Sequence, residues 1–422
     1  MKTETKCIKA GYKPNNGEPM ALPIYQSTTY SYDTAEAIGK LFDLAEDGHM
    51  YSRISNPTVA CVEEKIAALE GGVGALCTSS GQMASMMSLL NIMEAGDHFI
   101  SSSKIYGGTV NLFMVTLKRL GIECTLVDQD LSEEELDKYF KPNTKAVFGE
   151  SLANPALSVL DIEKFARVAH KHGVPLIVDN TFPTPALCRP IEFGADIVVH
   201  STSKYLDGHA IQVGGVIIDS GNFDWKANGY TCLSTPDESY HGVTYTEKFG
   251  KSAYIAKARL QLTRDFGTYP PAFSAFLLDL GIQTLSVRMK AHSENALKVA
   301  EFLEKSPKVE KVFYPSLESD SYNGLAKKYF DGGSSGVVSF ILKGGRSSAM
   351  EFMKSLKMAT NAVHVAAVNT MVLHPASATH RQLTDEQLVG AGVAPGLIRF
   401  SVGIEHIDDI LEDVKYALSK CE

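Results

Sequence analysis

The chain has 422 residues, 44% of them hydrophobic and 21% charged, a globular composition that excludes a disordered or collagen-like protein. Its length suggests roughly two to three domains. Forty Lys and Arg stand against 49 Asp and Glu, a formal net charge of −9 without long runs of one sign. A nucleic-acid partner or an anionic-membrane surface is therefore not expected, while a local basic pocket is compatible with that balance. No stretch reaches about 18 consecutive apolar residues, and residues 1–14 carry lysines and glutamates where a signal peptide has an apolar block, so a cytoplasmic protein is expected. The cysteines (Cys7, Cys61, Cys77, Cys124, Cys188, Cys232 and Cys421) are scattered, with no CxxC pair. They read as reduced thiols rather than a metal or disulfide framework.

Residues 1–56 contain Pro14, Pro19 and Pro23 among many Ser, Thr, Tyr and Asn, and read as an extended N-terminal arm. Asn56-Pro57 supplies a helix cap and a first-turn proline, and Val59, Val62, Ile66 and Leu69 continue a helical stripe to Gly71-Gly72. Strands are then predicted over 75–79, 98–102, 123–127, 145–150, 175–180, 196–200 and 214–219. Between them lie helices such as 132–140, opened by a Ser132 and Glu135 capping box, and 161–172, closed at Gly173. This alternation, with strands apolar on consecutive positions, indicates an α/β fold around a mostly parallel sheet covered on both faces. Residues 254–305 are strongly helical, and 336–342 and 398–402 read as strands of a smaller α+β domain. The expected division is an arm (1–56), a large domain (57–256) and a C-terminal small domain (257–422).

Such a sheet hosts many activities, so the motifs decide. No GxGxxG follows a strand, and Gly250-Lys251-Ser252 lacks the first P-loop glycine, Tyr245 standing in its place. The run 332–336 matches GxSxG around Ser334, with Asp385 and His406 in hydrolase order. A nucleophile elbow needs a strand before it and a helix after it, and the pattern here is the reverse, so a flexible turn is the better reading. His170 and His172 are two apart on a helix and cannot share a face, and no HExxH occurs; no metal site is expected.

The informative region is 175–215. One buried strand ends in Asp179 and the next runs into Ser201-Thr202-Ser203-Lys204, placing an acid and a lysine at adjacent carboxyl ends of a parallel sheet, where ligands bind. Ser80-Gly81-Gln82 lies where a strand turns into a helix whose free N–H groups attract an anion. A lysine, an acid and an anion cradle together fit pyridoxal 5'-phosphate: a Schiff-base lysine, a partner for the pyridine nitrogen and a helix N-terminus for the phosphate.

At this point YSRISNPT (51–58), TSSGQ (78–82), YGG (106–108), VDNTF (178–182), HSTSK (200–204) and LIRFSVGIE (397–405) resemble, in order, the signatures of the Cys/Met-metabolism enzymes of fold type I. The resemblance implies catalytic roles for Lys204, the Schiff-base and proton-shuttling amine, Asp179, the pyridinium partner, and Tyr106, stacked on the ring. It further implies Asn154 at the ring oxygen, Ser80, Gly81, Gln82, Ser201 and Ser203 at the phosphate, and Arg399 clamping the substrate carboxylate. Tyr51 and Arg53 would reach the neighbouring subunit's phosphate, making the protein a homo-oligomer, a dimer of dimers. Tyr51, Asn154 and His364 would also touch substrate.

The segments 222–245 (with SYHG at 239–242), 253–267 and 379–405 resemble those of O-acetylhomoserine sulfhydrylases, and Gly108 stands where methionine γ-lyases carry a cysteine. The implied reaction is γ-replacement on O-acetyl-L-homoserine by sulfide or a small thiol, giving homocysteine or methionine and acetate. The alternative is a γ-lyase releasing 2-oxobutyrate, ammonia and a thiol. His364-Val-Ala-Ala departs from the Asn or Ser before Gly-Asp of many relatives.

Overall fold

The computed structural model describes residues 1–378 and 394–421. Strands β1 (Gly74–Thr78), β2 (His98–Ser102), β3 (Glu123–Val127), β4 (Thr144–Glu150), β5 (Leu176–Asp179), β6 (Ile197–Ser201) and β7 (Gly215–Asp219) form one sheet in the order β1-β7-β6-β5-β4-β2-β3. From β3 to β6 neighbouring strands are parallel, joined by long helical crossovers. β7 is the exception: the loop 202–214 contains no crossover helix, so the chain turns back and β7 runs antiparallel to both β6 and β1. The carboxyl ends of β1, β4, β5 and β6 consequently share one edge, at which β7 begins.

Side chains alternate strictly across this sheet. Val147, Val178, Val198 and Val216 enter one apolar layer, and Phe148, Ile177, Ile197, Val199 and Ile217 the other. Burial on both faces explains the unbroken apolar runs in the sequence. β8 (Val309–Phe313), β9 (Val337–Leu342), β10 (Thr360–Asn361), β11 (Met371–Leu373) and β12 (Leu397–Ser401) make a second sheet, in the order β10-β11-β12-β9-β8, with its own core around Phe340, Phe352 and Phe400.

Two expectations need correction. The arm is not wholly extended: α1 (Thr3–Lys9) and α2 (Ala35–Phe42) are helical, Cys7 of α1 is buried, and α1 packs on α3 (Pro57–Glu70). The helical stretch 254–305 is also broken. Gly267 takes a left-handed conformation and Pro270-Pro271 follow, whose missing N–H groups stop the helix before Ala272–Gln283 and Leu285–Glu304 begin. The pieces up to 283 pack on β1, on α3 and on α4 (Gly81–Leu90), that is, on the large sheet and its helices. On this packing we place the division between the two units within Leu285–Glu304, beyond 256.

The GxSxG run is a turn between the helix Asn323–Tyr329 and β9. Ser334 is buried with its hydroxyl 2.8 Å from that of Ser316, His406 caps the helix Ile407–Lys420, and Asp385 lies outside the described residues. No catalytic triad forms from the two that are described. His170 pairs with Asp196 and His172 with Asp137, and no cluster of metal-ligating side chains occurs among the described residues. No described helix is long and apolar enough to cross a membrane.

Lys65 of α3 and Asp279 form a 2.5 Å ion pair with both side chains almost wholly buried. Removing one partner strands the other charge in a low-dielectric interior. Lys65→Met is therefore expected to lower unfolding stability by about 3–5 kcal/mol, read as a reduced midpoint in urea with an unchanged slope.

Candidate active site

At the shared carboxyl edge the first helix, α4, starts at Gly81 with Ser80 as its cap, the Ser80 hydroxyl accepting the Met83 N–H at 3.2 Å. Gly81 is required by space: a Cβ there would lie 2.6 Å from the Cβ of Ser201, so the helix start and the end of β6 meet backbone to backbone. Free N–H groups at a ten-residue helix start, flanked by the hydroxyls of Ser80, Ser201 and Ser203, make a cradle for a phosphate-sized anion. Gln82 donates to the Thr109 hydroxyl at 3.1 Å, which ties the cradle to the segment carrying Tyr106.

Opposite the cradle lies a cavity of about 600 Å³ lined by Ser80, Gly81, Gln82, Tyr106, Asn154, Asp179, Ser201, Ser203, Lys204, His364 and Arg399. The structure thus brings together every site residue expected from sequence except Tyr51 and Arg53. Those two sit on the arm surface, the Arg53 guanidinium 5.4 Å from the Tyr51 ring centre and bonded to the Arg264 carbonyl.

Asp179 ends β5. Its Oδ1 accepts the backbone N–H and the hydroxyl of Thr181, at 3.0 and 2.5 Å, while Oδ2 bonds to no described residue. Burial raises its pKa, countered by the Thr181 hydrogen bonds and by His200. Lys204 lies in the 202–214 loop, its carbonyl accepting the Gly208 N–H at 2.7 Å and its amine unpaired among the described residues. Burial, and secondarily the charge of Arg399, bring that amine down to about 8. The next residue, Tyr205, is fully buried, its hydroxyl accepting the Gly336 N–H at 3.0 Å and its carbonyl the Arg288 guanidinium at 2.9 Å, so the backbone beneath the lysine is held from both sides.

Arg399 enters from β12 of the second sheet. Its guanidinium is only 7% exposed and donates to neutral oxygens: the Val363 carbonyl at 2.9 Å, the His364 carbonyl at 3.2 Å and Asn154 Oδ1 at 3.5 Å. No described carboxylate pairs with it, and burial lowers its pKa to about 10. An ordinary salt bridge is thereby excluded among the described residues; a buried cation without a counterion is a receptor for an incoming anion. His364 is half-buried on the loop that supplies those carbonyls. Burial, then Lys204 and Arg399, push its imidazole down to about 4, which leaves it neutral near pH 7.

Glu150 was not among the residues picked from sequence. It ends β4 as the register partner of Asp179, is buried, and lines the same cavity. The signal that points to it is the one that found Asp179, an acid closing a buried parallel strand.

These residues fit pyridoxal phosphate. An anion cradle, an unpaired amine of lowered basicity and a carboxylate with one free oxygen face a single cavity, and no Cβ occupies the gap between Gly81 and Ser201. Comparison with known proteins agrees. The family model described as Cys/Met metabolism PLP-dependent enzyme matches residues 4–419. An O-acetyl-L-homoserine sulfhydrylase of Leptospira meyeri is 45% identical, covering 99% of this chain and 96% of its own. A homocysteine synthase of Schizosaccharomyces pombe is 47% identical, covering 98% and 97%. Among solved structures, a putative O-acetylhomoserine (thiol)-lyase of Campylobacter jejuni carrying a pyridoxyl-lysine monophosphate superimposes with a TM-score of 0.95 at 37% identity, covering 99% of this chain and 100% of that one.

The lowered basicity of Lys204 is measurable. In the cofactor-free chain, modification of Lys204 by an amine-directed reagent, mapped by mass spectrometry, is expected to be half-maximal near pH 8. Arg399→Leu should move that midpoint upward, because a neighbouring positive charge disfavours the protonated amine. A wild-type midpoint in the ordinary lysine range contradicts the environment described here.

Proposed function

The chain belongs to the Cys/Met-metabolism family of pyridoxal-phosphate-dependent enzymes, and from that premise we propose that it catalyses γ-replacement on O-acetyl-L-homoserine, with sulfide or a small thiol as nucleophile, giving homocysteine or methionine and acetate. The observation that carries the substrate class is Arg399, a buried cation without a counterion among the described residues and facing Lys204 and Asp179 across one cavity. An α-amino acid supplies the carboxylate that Arg399 lacks and places its amino group and Cα toward Lys204.

When bound, pyridoxal phosphate supplies an electron sink for the electrons left at the substrate Cα when its proton departs. Asp179 keeps the ring nitrogen protonated through its free Oδ2, and Lys204 holds the cofactor and then carries protons at the substrate Cα and Cβ. Lowered basicity suits that work, since an amine with a pKa near 8 is partly neutral at neutral pH and can accept a proton. Ser80, Gly81, Gln82, Ser201 and Ser203 would hold the phosphate and Tyr106 and Asn154 would hold the ring, Asn154 also steadying Arg399. Replacement rather than elimination is supported by Gly108. A Cβ at that position would lie 2.5 Å from Tyr106 Cε1, so the cysteine of the lyase pattern would displace the ring as it stands here.

Tyr51 and Arg53 act on a neighbouring copy. Both stand outside the cavity of their own chain, Tyr51 is 41% exposed, and the arm presents Met20, Ile24 and Tyr25 to solvent. Covering that apolar surface in a dimer, and pairing dimers, gives each site two chains. Seven unpaired cysteines suit a reducing cytoplasm.

Incubation with O-acetyl-L-homoserine, with and without sulfide, tests the reaction. Homocysteine and acetate are expected only with sulfide; 2-oxobutyrate as the main product under both conditions overturns the proposal. Arg399→Lys exchanges a planar fork for a point charge and should weaken carboxylate binding by about 1.5–3 kcal/mol. That corresponds to a rise in the Michaelis constant for the amino-acid ester of roughly tenfold or more, and an unchanged constant contradicts the clamp.

A further inference from the structure

Glu150 is the one carboxyl group of the cavity to which the proposed chemistry gives no work. It and Asp179 close adjacent parallel strands as register partners, and strands lie about 4.8 Å apart, so the buried Glu150 carboxyl and the half-buried Asp179 carboxyl stand side by side. Two negative charges that close together cannot both persist without strong compensation. Asp179 has the N–H and hydroxyl of Thr181 on Oδ1, His200 nearby and a free oxygen open to the cavity. The Glu150 carboxyl has one hydrogen bond among the described residues, its Oε1 accepting the Tyr106 backbone N–H at 2.6 Å. A single negative charge therefore settles on Asp179.

That amide belongs to a residue lining the same cavity. Tyr106 follows β2, and Glu150 ends β4, so one side chain of β4 holds the backbone of the loop that leaves its neighbour β2. The Tyr106 ring has no other polar tether: it is 48% exposed, and its hydroxyl bonds to no described residue. Its orientation is inherited from its backbone, held on the carbonyl side by the turn that starts Gly107–Asn111 and on the N–H side by Glu150.

We propose that Glu150 is a positioning residue that works as an uncharged carboxyl group, anchoring Tyr106 through its backbone N–H so that the tyrosine ring faces the cofactor. This rests on the role given above to Tyr106, and not on which nucleophile the enzyme uses.

The test compares Glu150→Gln, Glu150→Asp and Glu150→Ala in the holoenzyme, by the visible circular dichroism of the bound cofactor and by separate measurement of kcat and KM. Glu150→Gln keeps an uncharged acceptor of the same length, so its dichroism should match wild type and its constants stay within about threefold. Glu150→Asp keeps the acid but withdraws it by a methylene, and Glu150→Ala removes it. Both should lose dichroic amplitude and raise KM for the amino-acid substrate, the alanine variant by roughly tenfold or more, as expected when a ring is misplaced by about an ångström. A glutamine variant as impaired as the alanine variant, or one worse than the aspartate variant, overturns the proposal by showing that the charge is needed. Wild-type dichroism and KM in the alanine variant overturn it by showing that nothing was being positioned. If the alanine variant does not fold, the order of the glutamine and aspartate variants alone decides. The dichroism reports cofactor geometry before any substrate is added, so a wild-type enzyme that makes no homocysteine refutes the proposed reaction and leaves this comparison standing.

Discussion

Two carboxyl groups and two strongly basic side chains share one cavity: Asp179 and Glu150 from adjacent strands of the large sheet, Lys204 from the loop after β6, and Arg399 from the second sheet. None of them forms an ion pair within the described structure, and burial displaces the pKa of every one toward its neutral form. Compensation has to come from a ligand with the opposite pattern, a cationic ring nitrogen for Asp179 and a carboxylate for Arg399. The site is thus poised electrostatically before anything binds, which is how a folded chain spends stability on function.

The fold makes this arrangement possible through one reversal of direction. Had β7 continued the parallel pattern, the segment after β6 would have left the carboxyl edge to form a crossover helix. Instead the chain stays at that edge, forms the turn that carries Lys204, and returns as β7 against both β6 and β1. Tyr205 then ties this turn to the start of β9, and the Val368 N–H donates to the Gly208 carbonyl at 2.8 Å, so the lysine turn and the loop that holds Arg399 are bonded to each other. Relative position of the amine and the guanidinium is therefore set by backbone hydrogen bonds across the two units rather than by long flexible side chains.

His364 shows how the same loop combines structure and contact. Its carbonyl is one of the two that hold Arg399, while its Nε2 is buried without a partner beside the cavity. A neutral imidazole near two cationic side chains can accept a hydrogen bond, which neither cation can do.

Much of this was legible in the chain itself. Burial on both sheet faces writes apolar runs, caps and left-handed glycines mark helix ends, and parallel strands send ligands to their carboxyl ends; Asp179, Lys204 and the Ser80 to Gln82 turn followed from those local rules. Glu150 obeys the same rule and was passed over because no motif singles it out. What the sequence could not disclose depends on contacts between distant segments: the first helix of the arm, α1, which packs on α3, and the reversal of β7, which lies between β6 and β1. Local chemistry determined which residues could do the work. Only the tertiary structure decided that Arg399 would meet no described carboxylate and that Glu150 would stand beside Asp179, because a group's charge state depends on neighbours that the linear order does not name.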